Sequence, residues 1–252
     1  VRIRALPLAL LGAALAAPLL GAPDSERFRE ANDLVRAGDY PKAIALYAEL
    51  AATGQESASL YWNWAQAATA RGAQGEALWA LLRARELDPS DRAVVRDVER
   101  LREALNLDPA EITPEPLAAA GRWARLFRVD RIAVALLALS LALHALVRIR
   151  PRSGWASPSA GAALVLGLLA AALPAVASLA RPTAVVVRRG APLLDAASPT
   201  AEATGSLREG EVVPVLEASG AWLRVEDNAG ARGWAHADDA RRLDAPPAAP
   251  RD

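Results

Sequence analysis

Four hydrophobic patterns follow one another along the chain. Val1-Arg-Ile-Arg4 is a short basic start, Ala5 to Leu20 is an apolar run of 16 residues, and Leu20-Gly-Ala22 leads to Pro23 and Asp24, where charge resumes. That layout predicts a secretory signal peptide over residues 1–22. An uncleaved membrane anchor is the alternative, although Pro7, Pro18 and the short run weaken a spanning helix. From Asp24 to Leu105 apolar residues recur every three to four positions, the period of amphipathic helices. Ile132 to Val147 and Ala160 to Ala180 then hold no charge over 16 and 21 residues, and Ile149 extends the first run. These predict two transmembrane helices, 132–149 and 160–180, joined by a short loop, 150–159. After Arg181 the period falls to that of strands. Ala184-Val-Val-Val187, Val212-Val-Pro-Val-Leu216 and Trp222-Leu-Arg-Val225 are separated by the turn residues Glu209-Gly210, Ser219-Gly220 and Asp227-Asn228.

The helical stretch repeats itself. Gly38-Asp-Tyr40-Pro-Lys-Ala43-Ile-Ala-Leu-Tyr47 aligns with Gly72-Ala-Gln74-Gly-Glu-Ala77-Leu-Trp-Ala-Leu81 at an offset of 34 residues. Gly38 and Gly72 suit turns between antiparallel helices, and Ala43 and Ala77 let helices approach closely. With Tyr61, Trp64, Ala65, Ala84 and Pro89 in step, Asp24 to Ser90 resembles a pair of tetratricopeptide (TPR) repeats. Ser90-Asp91 can cap a further helix, Arg92 to Leu105, expected to cover the end of the second repeat. The TPR unit is thus placed at 24–105, with a linker and interfacial segment at 106–131 containing Pro109, Pro114, Pro116, Trp123 and Phe127. The resemblance implies a concave face carrying Phe28, Asn32, Val35 and Arg36 from one repeat and Ser59, Trp62, Gln66 and Thr69 from the next. Asn32, Arg36, Trp62 and Gln66 are the candidate partner-binding residues, with Asn32 and Gln66 placed to grip an extended backbone. Burial of Phe28 and Trp62 between repeats is the competing expectation.

The last stretch, 183–243, resembles a bacterial SH3-like domain. The segments that carry the resemblance are Val185-Val-Val-Arg188, Leu207-Arg-Glu-Gly210-Glu-Val212, Gly220-Ala-Trp222-Leu-Arg-Val225 and Gly230-Ala-Arg-Gly233-Trp234. Such domains often bind peptide or cell-wall ligands in an aromatic groove, which makes Trp222 and Trp234 candidates here. Two readings of Trp222 stand open. A small barrel needs large core residues, yet strand alternation puts Leu223 and Val225 on one face and Trp222 with Arg224 on the other. The unit is expected to fold alone as residues 182–244, followed by a disordered tail at 244–252.

Composition narrows the chemistry. Lys+Arg and Asp+Glu both total 29, so the basic excess of a nucleic-acid binder is missing. There is no Cys, and the two His lie 92 positions apart, which argues against disulfides, thiol nucleophiles, a zinc site or a catalytic triad. Asp238-Asp239 reads as a solvated turn. Residues 24–131 hold 15 basic and 18 acidic groups, residues 181–252 hold 9 and 11, and Arg148, Arg150 and Arg152 lie in the loop between the apolar runs. That loop points to the cytoplasm, but Arg122, Arg125, Arg128 and Arg131 flank the other end of the first run. The signal-peptide reading decides, placing both soluble parts on the exported side of a bacterial inner membrane. Ser140 and His144 share a helix face, with a neutral His144 bonded locally the favoured reading. Gly167 and Ala171 form a small-residue face for helix packing.

Taken in order, these parts describe a multidomain membrane protein: all-α TPR hairpins, two transmembrane helices and a C-terminal all-β SH3-like barrel. The order resembles the BatE-type proteins of bacterial aerotolerance operons. Phe28-Arg-Glu-Ala-Asn32 before Gly38-Asp-Tyr40, and Ser57-Ala-Ser-Leu-Tyr61-Trp-Asn63, look like that family; Trp64-Ala65 and Gln74 depart from it. The resemblance implies a non-enzymatic scaffold without cofactor or metal, working beside von Willebrand factor A-domain membrane proteins and a MoxR-type AAA+ ATPase. A peptidoglycan-binding anchor or sensor is the alternative.

Overall fold

A computed structural model describes residues 25–109, 126–149, 156–177 and 179–246, with positions 120, 121 and 124. The signal-peptide segment, half of the 106–131 linker including Trp123, most of the Arg-rich loop and the end of the tail lie outside the described residues.

The first five helices are α1 (Ser25–Arg36), α2 (Tyr40–Ala52), α3 (Ala58–Ala70), α4 (Gln74–Leu87) and α5 (Arg92–Ala104). Their starts are set by local chemistry. Asp39 accepts from Lys42 N (3.4 Å), Ser57 from Leu60 N (3.1 Å) and Asp91 from Ala93 N (2.8 Å), each pairing one of the orphan amides at a helix start. The turns after α1, α3 and α5 use left-handed residues at Gly38, Gly72 and Asn106 (φ +80°, +81° and +53°). These three positions are each 34 residues apart. Helix α5 packs against α4, at the end of the helical series, and its closing turn falls at the same offset as those after α1 and α3. Asn tolerates the left-handed conformation better than most residues, so Asn106 serves that turn where Gly serves the other two.

Successive helices pack side by side around small and aromatic residues: Ala43, Tyr47, Leu50, Leu60, Trp64, Ala65, Ala77, Trp79 and Val98 are all buried. Tyr61, Trp64 and Trp79 form one aromatic knot, with Trp64 and Trp79 edge to face at 5.1 Å between centroids and Tyr61 stacked on Trp64 at 5.9 Å.

Next come α6 (Val129–Ile149) and α7 (Ala156–Ala177), an antiparallel pair. Both are long and apolar enough to cross a membrane, with mean hydropathy 2.3 and 2.0, and little of either is buried in the protein. Val134, Leu141 and Leu169 are 68%, 67% and 64% exposed, surface that suits lipid and not water. The contact between the helices is made by Ala133 and Ser140 on one side and Ala160, Ala163 and Gly167 on the other. Gly167 thus serves the packing face, as expected; Ala171 does not, being exposed. Ser140 donates its hydroxyl to Ala160 O (3.0 Å), and His144 Nδ1 lies 2.8 Å from Ser140 O. A carbonyl only accepts, so Nδ1 carries a proton. His144 is therefore bonded locally.

Among the described residues seven strands follow: β1 (Thr183–Val186), β2 (Ala191–Leu194), β3 (Ala203–Leu207), β4 (Val212–Ser219), β5 (Trp222–Glu226), β6 (Arg232–His236) and β7 (Ala240–Arg242). They pair antiparallel in the order β3-β2-β6-β5-β4-β1-β7. Val186, Leu193, Leu207, Val213, Val215, Leu223, Val225 and Ala235 fill the space inside.

The barrel packs against the helical unit. Val185 belongs to the helical core, and Val187, Val212 and Leu243 pack against it. Trp79 Nε1 donates to Arg242 O (2.9 Å), Arg83 donates to Leu243 O, and Gly75 N donates to Glu209 Oε1 (2.8 Å). Gly75 is required here: a Cβ would sit 2.7 Å from Val186 O. Helix α4 therefore covers the outer edge of β7 with side-chain donors, one of the ways proteins close an exposed sheet edge.

Candidate functional site

Two surfaces gather the residues singled out from sequence. The first lies along α1, α3 and α5. Asn32 is half-buried, and its Oδ1 accepts from the Tyr47 hydroxyl (2.7 Å) and from Asn63 Nδ2 (2.9 Å). Its carbonyl thus ties α1 to α2 and α3. Arg36 is exposed at the end of α1 and pairs with Asp33 (2.7 Å). Trp62 lies partly buried against the helical core, its Nε1 donating to Asp97 Oδ2 (2.9 Å). Gln66 is exposed and donates to the same oxygen (3.3 Å). Phe28 is half-buried against Tyr47, 6.1 Å between centroids. Asp97 on α5 therefore draws Trp62 and Gln66 together, and Arg100 holds its other oxygen at 2.8 Å. Sequence reasoning missed Asp97 and Arg100. The 34-residue offset carries the signal, because Asn63 maps to Asp97 and Gln66 to Arg100.

The second surface is the outer face of β5 and β6. The register sets Trp222 opposite His236, Arg224 opposite Trp234 and Glu226 opposite Arg232. Leu223, Val225 and Ala235 point to the core and are buried, while Trp222 and Trp234 are half-buried on the outside. Alternation, and not the need for bulk, governs Trp222. Trp222 and His236 meet edge to face at 5.0 Å. Arg224 Nη1 lies 3.8 Å from Glu217 Oε2, and Arg232 donates to Glu226 at 2.7 Å. The result is an aromatic strip with a guanidinium in its middle, suited to stacking on flat or aliphatic groups and pairing with a carboxylate. Asp238 and Asp239 differ: Asp238 is solvated, whereas Asp239 is buried and accepts from Arg188 (3.2 Å).

Between the two surfaces runs the contact of barrel with helices. Glu76 is 4% exposed and collects Arg71, Trp64 Nε1 (3.1 Å) and Arg241 Nη1 (2.7 Å). The Arg241 guanidinium lies 5.3 Å from the Trp79 centroid and 5.9 Å from that of Trp64. Arg83 is held by both oxygens of Glu56 (2.8 and 2.9 Å). Burial opposes the charge on Arg83, but Glu56 and Tyr61 more than offset it and leave its pKa raised. Burial, reinforced by Glu56, likewise pushes the Tyr61 phenol up. A cleft of about 490 Å³ opens beside this contact, walled by Ile44, Ala48, Leu223, Ala240 and Arg241. Among the described residues no group of three His, Asp or Glu is placed to hold a metal ion.

No curated protein and no solved structure matches the chain. Residues 187–239, the stretch that holds the aromatic strip, match the family model of the bacterial SH3 domain.

Proposed function

We propose that the chain is a non-enzymatic, membrane-held adaptor that presents a TPR-type helical module and a bacterial SH3 barrel as one rigid binding body on the exported side of a bacterial inner membrane. The observation that carries this reading is the strip of half-buried Trp222, Trp234 and His236 with exposed Arg224 among them, within the SH3 match and held in fixed relation to the α1–α3–α5 face by the contact at Glu76 and Arg241. Half-buried aromatics around a guanidinium are the residues that dominate protein–protein contacts. The partner class is proteins that offer extended peptide. The BatE resemblance extends the proposal to an envelope stress or aerotolerance complex with von Willebrand factor A-domain membrane proteins. Nucleic acid and cofactors have no place in it.

The bacterial SH3 match also supports a second reading, in which the strip binds peptidoglycan and the chain is a wall anchor or sensor. Co-sedimentation of the detergent-solubilised chain with purified sacculi, beside affinity capture and mass spectrometry from solubilised membranes, separates the two. Capture of A-domain membrane proteins that is lost in Trp222→Ala supports the adaptor. Sedimentation with sacculi that is lost in Trp222→Ala supports the anchor. Binding unaffected by Trp222→Ala and Trp234→Ala removes the strip from both.

A further inference from the structure

The aromatic strip holds a titratable group whose neighbours ask opposite things of it. His236 stands opposite Trp222 and meets it edge to face at 5.0 Å. Its Nδ1 lies 3.3 Å from the backbone nitrogen of Asp238 and 3.3 Å from the Asp238 carboxylate. The backbone N–H needs Nδ1 without a proton, and the carboxylate needs it with one. Histidine is the side chain that ordinarily changes charge between about pH 5 and pH 8, and a charged imidazole favours the carboxylate.

The surrounding charges decide what that proton does. Arg224 on β5 is the diagonal neighbour of His236, and Glu217 on β4 faces Arg224 from 3.8 Å, too far for a hydrogen bond. Farther along β6, Arg232 is bonded to Glu226. From β2 no charge arrives, because Leu194 pairs with Trp234 and so sets Pro192 level with His236. At the turn after β6, Asp239 is held by Arg188. Arg241 and Arg242 share the cleft wall with Asp238, but are paired with Glu76 and Asp244. Asp238 is exposed, and among the described residues its one possible cationic partner is His236. With His236 neutral, the outer face sets Arg224 and Arg232 against Glu217, Glu226 and Asp238; a proton on His236 removes that acidic excess.

Resting on the reading of the strip as a binding surface, we propose that it takes an acidic residue of an extended partner peptide and that His236 sets the affinity by its protonation. Arg224, loosely held by Glu217, pairs with the ligand carboxylate, and the half-buried indoles flank its apolar neighbours. While His236 is neutral, Asp238 repels an acidic ligand from that end of the strip; the imidazolium cancels that repulsion.

The full chain in phosphatidylcholine nanodiscs is titrated with two amidated, rhodamine-labelled peptides, Gly-Leu-Glu-Leu-Gly and Gly-Leu-Gln-Leu-Gly, and binding is read by fluorescence anisotropy at about pH 5.5 and about pH 8. The Glu peptide is expected to bind about three- to fivefold more tightly at the lower pH, the size of one exposed charge pair, and the Gln peptide equally at both. His236→Gln is expected to bind the Glu peptide with one affinity at both pH values. Asp238→Asn is expected to tighten the Glu peptide at the higher pH by a similar three- to fivefold, roughly the loss of one exposed repulsion. Should His236→Gln fail to fold, the exposed Asp238→Asn still reads the repulsion. An equal gain with the Gln peptide, a gain that persists in His236→Gln, no effect of Asp238→Asn, or no binding of the Glu peptide overturns the proposal. Binding that ignores pH but is lost in Trp234→Ala overturns it and leaves the strip a binding surface. Binding indifferent to both Trp222→Ala and Trp234→Ala overturns the proposal and the reading of the strip together.

Discussion

Removing the Glu76 carboxylate tests whether helices and barrel behave as one body. Glu76 is 4% exposed and joins three elements: Trp64 of α3, Arg71 just after α3, and Arg241 of β7. Glu76→Ala leaves the Trp64 N–H without its acceptor. It also leaves Arg241 lying on two indole faces without its anion. Breaking one side of a buried ion pair costs ~3–5 kcal/mol. The Arg71 and Arg241 side chains are 41% and 29% exposed, so water recovers part of that loss and the lower end, ~3 kcal/mol, is expected. Arg241→Ala leaves Glu76 with Arg71 and Trp64, and so is expected to cost less. The two groups touch, so the double variant is expected to cost less than the two single losses combined, with a coupling of at least ~1 kcal/mol.

For a soluble body of this size, each kcal/mol moves the melting temperature by ~2–4 °C, so Glu76→Ala is expected to lower it by ~6–12 °C. The assay is thermal unfolding of the full chain in detergent, read by far-UV circular dichroism for the helices and near-UV circular dichroism for the packed tryptophans. One transition that shifts equally by both probes is the expected result. Two separate transitions with only the helical one displaced, or losses that add within ~0.5 kcal/mol, refute the claim that Glu76 fastens the barrel to the helices.

Four further outcomes are expected. Burial pushes the Tyr47 phenol from 10.0 up to about 12; the folded state favours the neutral form, so stability is full below pH 10 and falls as pH rises through about 12. Urea titrations at pH 8, 10 and 11.5 read that loss, and Tyr47→Phe is expected to reduce it; an equal loss in the variant refutes the assignment. The hydrogen bond from Arg242 holds Asp244 below its ordinary 3.8, against the opposing effect of burial. Its contribution is therefore present above about pH 3.8 and fades as pH falls below it, and an acid titration of Asp244→Asn that matches the parent would count against this pair. Asp91→Ala removes the cap of α5 and is expected to cost ~1 kcal/mol in urea unfolding, with no cost if α5 starts elsewhere. Trp62→Phe keeps the packing but loses the bond to Asp97, at ~1.5 kcal/mol; a much larger loss would show that the indole bulk, and not its N–H, is what α3 and α5 share.

What could be read from the sequence is what depends on neighbours in the chain. The caps Asp39, Ser57 and Asp91 and the turns at Gly38 and Gly72 fix helix ends by contacts within a few residues. The alternation of Trp222, Leu223, Arg224 and Val225 sorts inside from outside correctly. The turn after α5 was within reach of the same offset, but Asn106 in place of Gly concealed it. The docking of the barrel was not within reach. Glu76 looks like any acid in the first turn of a helix, and Gly75 like a tolerated loss of helix propensity. Their reasons lie at Arg241 and Val186, more than 100 residues away, and no local pattern marks them. The same holds for Asn32: the spacing puts it on the concave face, but only the packed structure shows Tyr47 and Asn63 already bonded to its carbonyl.

The docking bears on topology as well. In sequence, the two apolar helices α6 and α7 stand between the helical unit and the barrel. In space those two units share a core through Val185, and Trp79 and Arg83 donate to backbone carbonyls at the end of the last strand and just after it. Units that touch lie on one side of any membrane, so the chain between them crosses it an even number of times. Two helices of 21 and 22 residues, exposed along their outer faces and packed on each other through Ala133, Ser140, Ala160 and Gly167, meet that condition as a hairpin. The contact is compatible with both units lying on one side of a membrane, without naming that side. The docking also gives the Glu76–Arg241 contact a second consequence, because a variant that frees the barrel from the helices would leave the hairpin alone to set their relative placement.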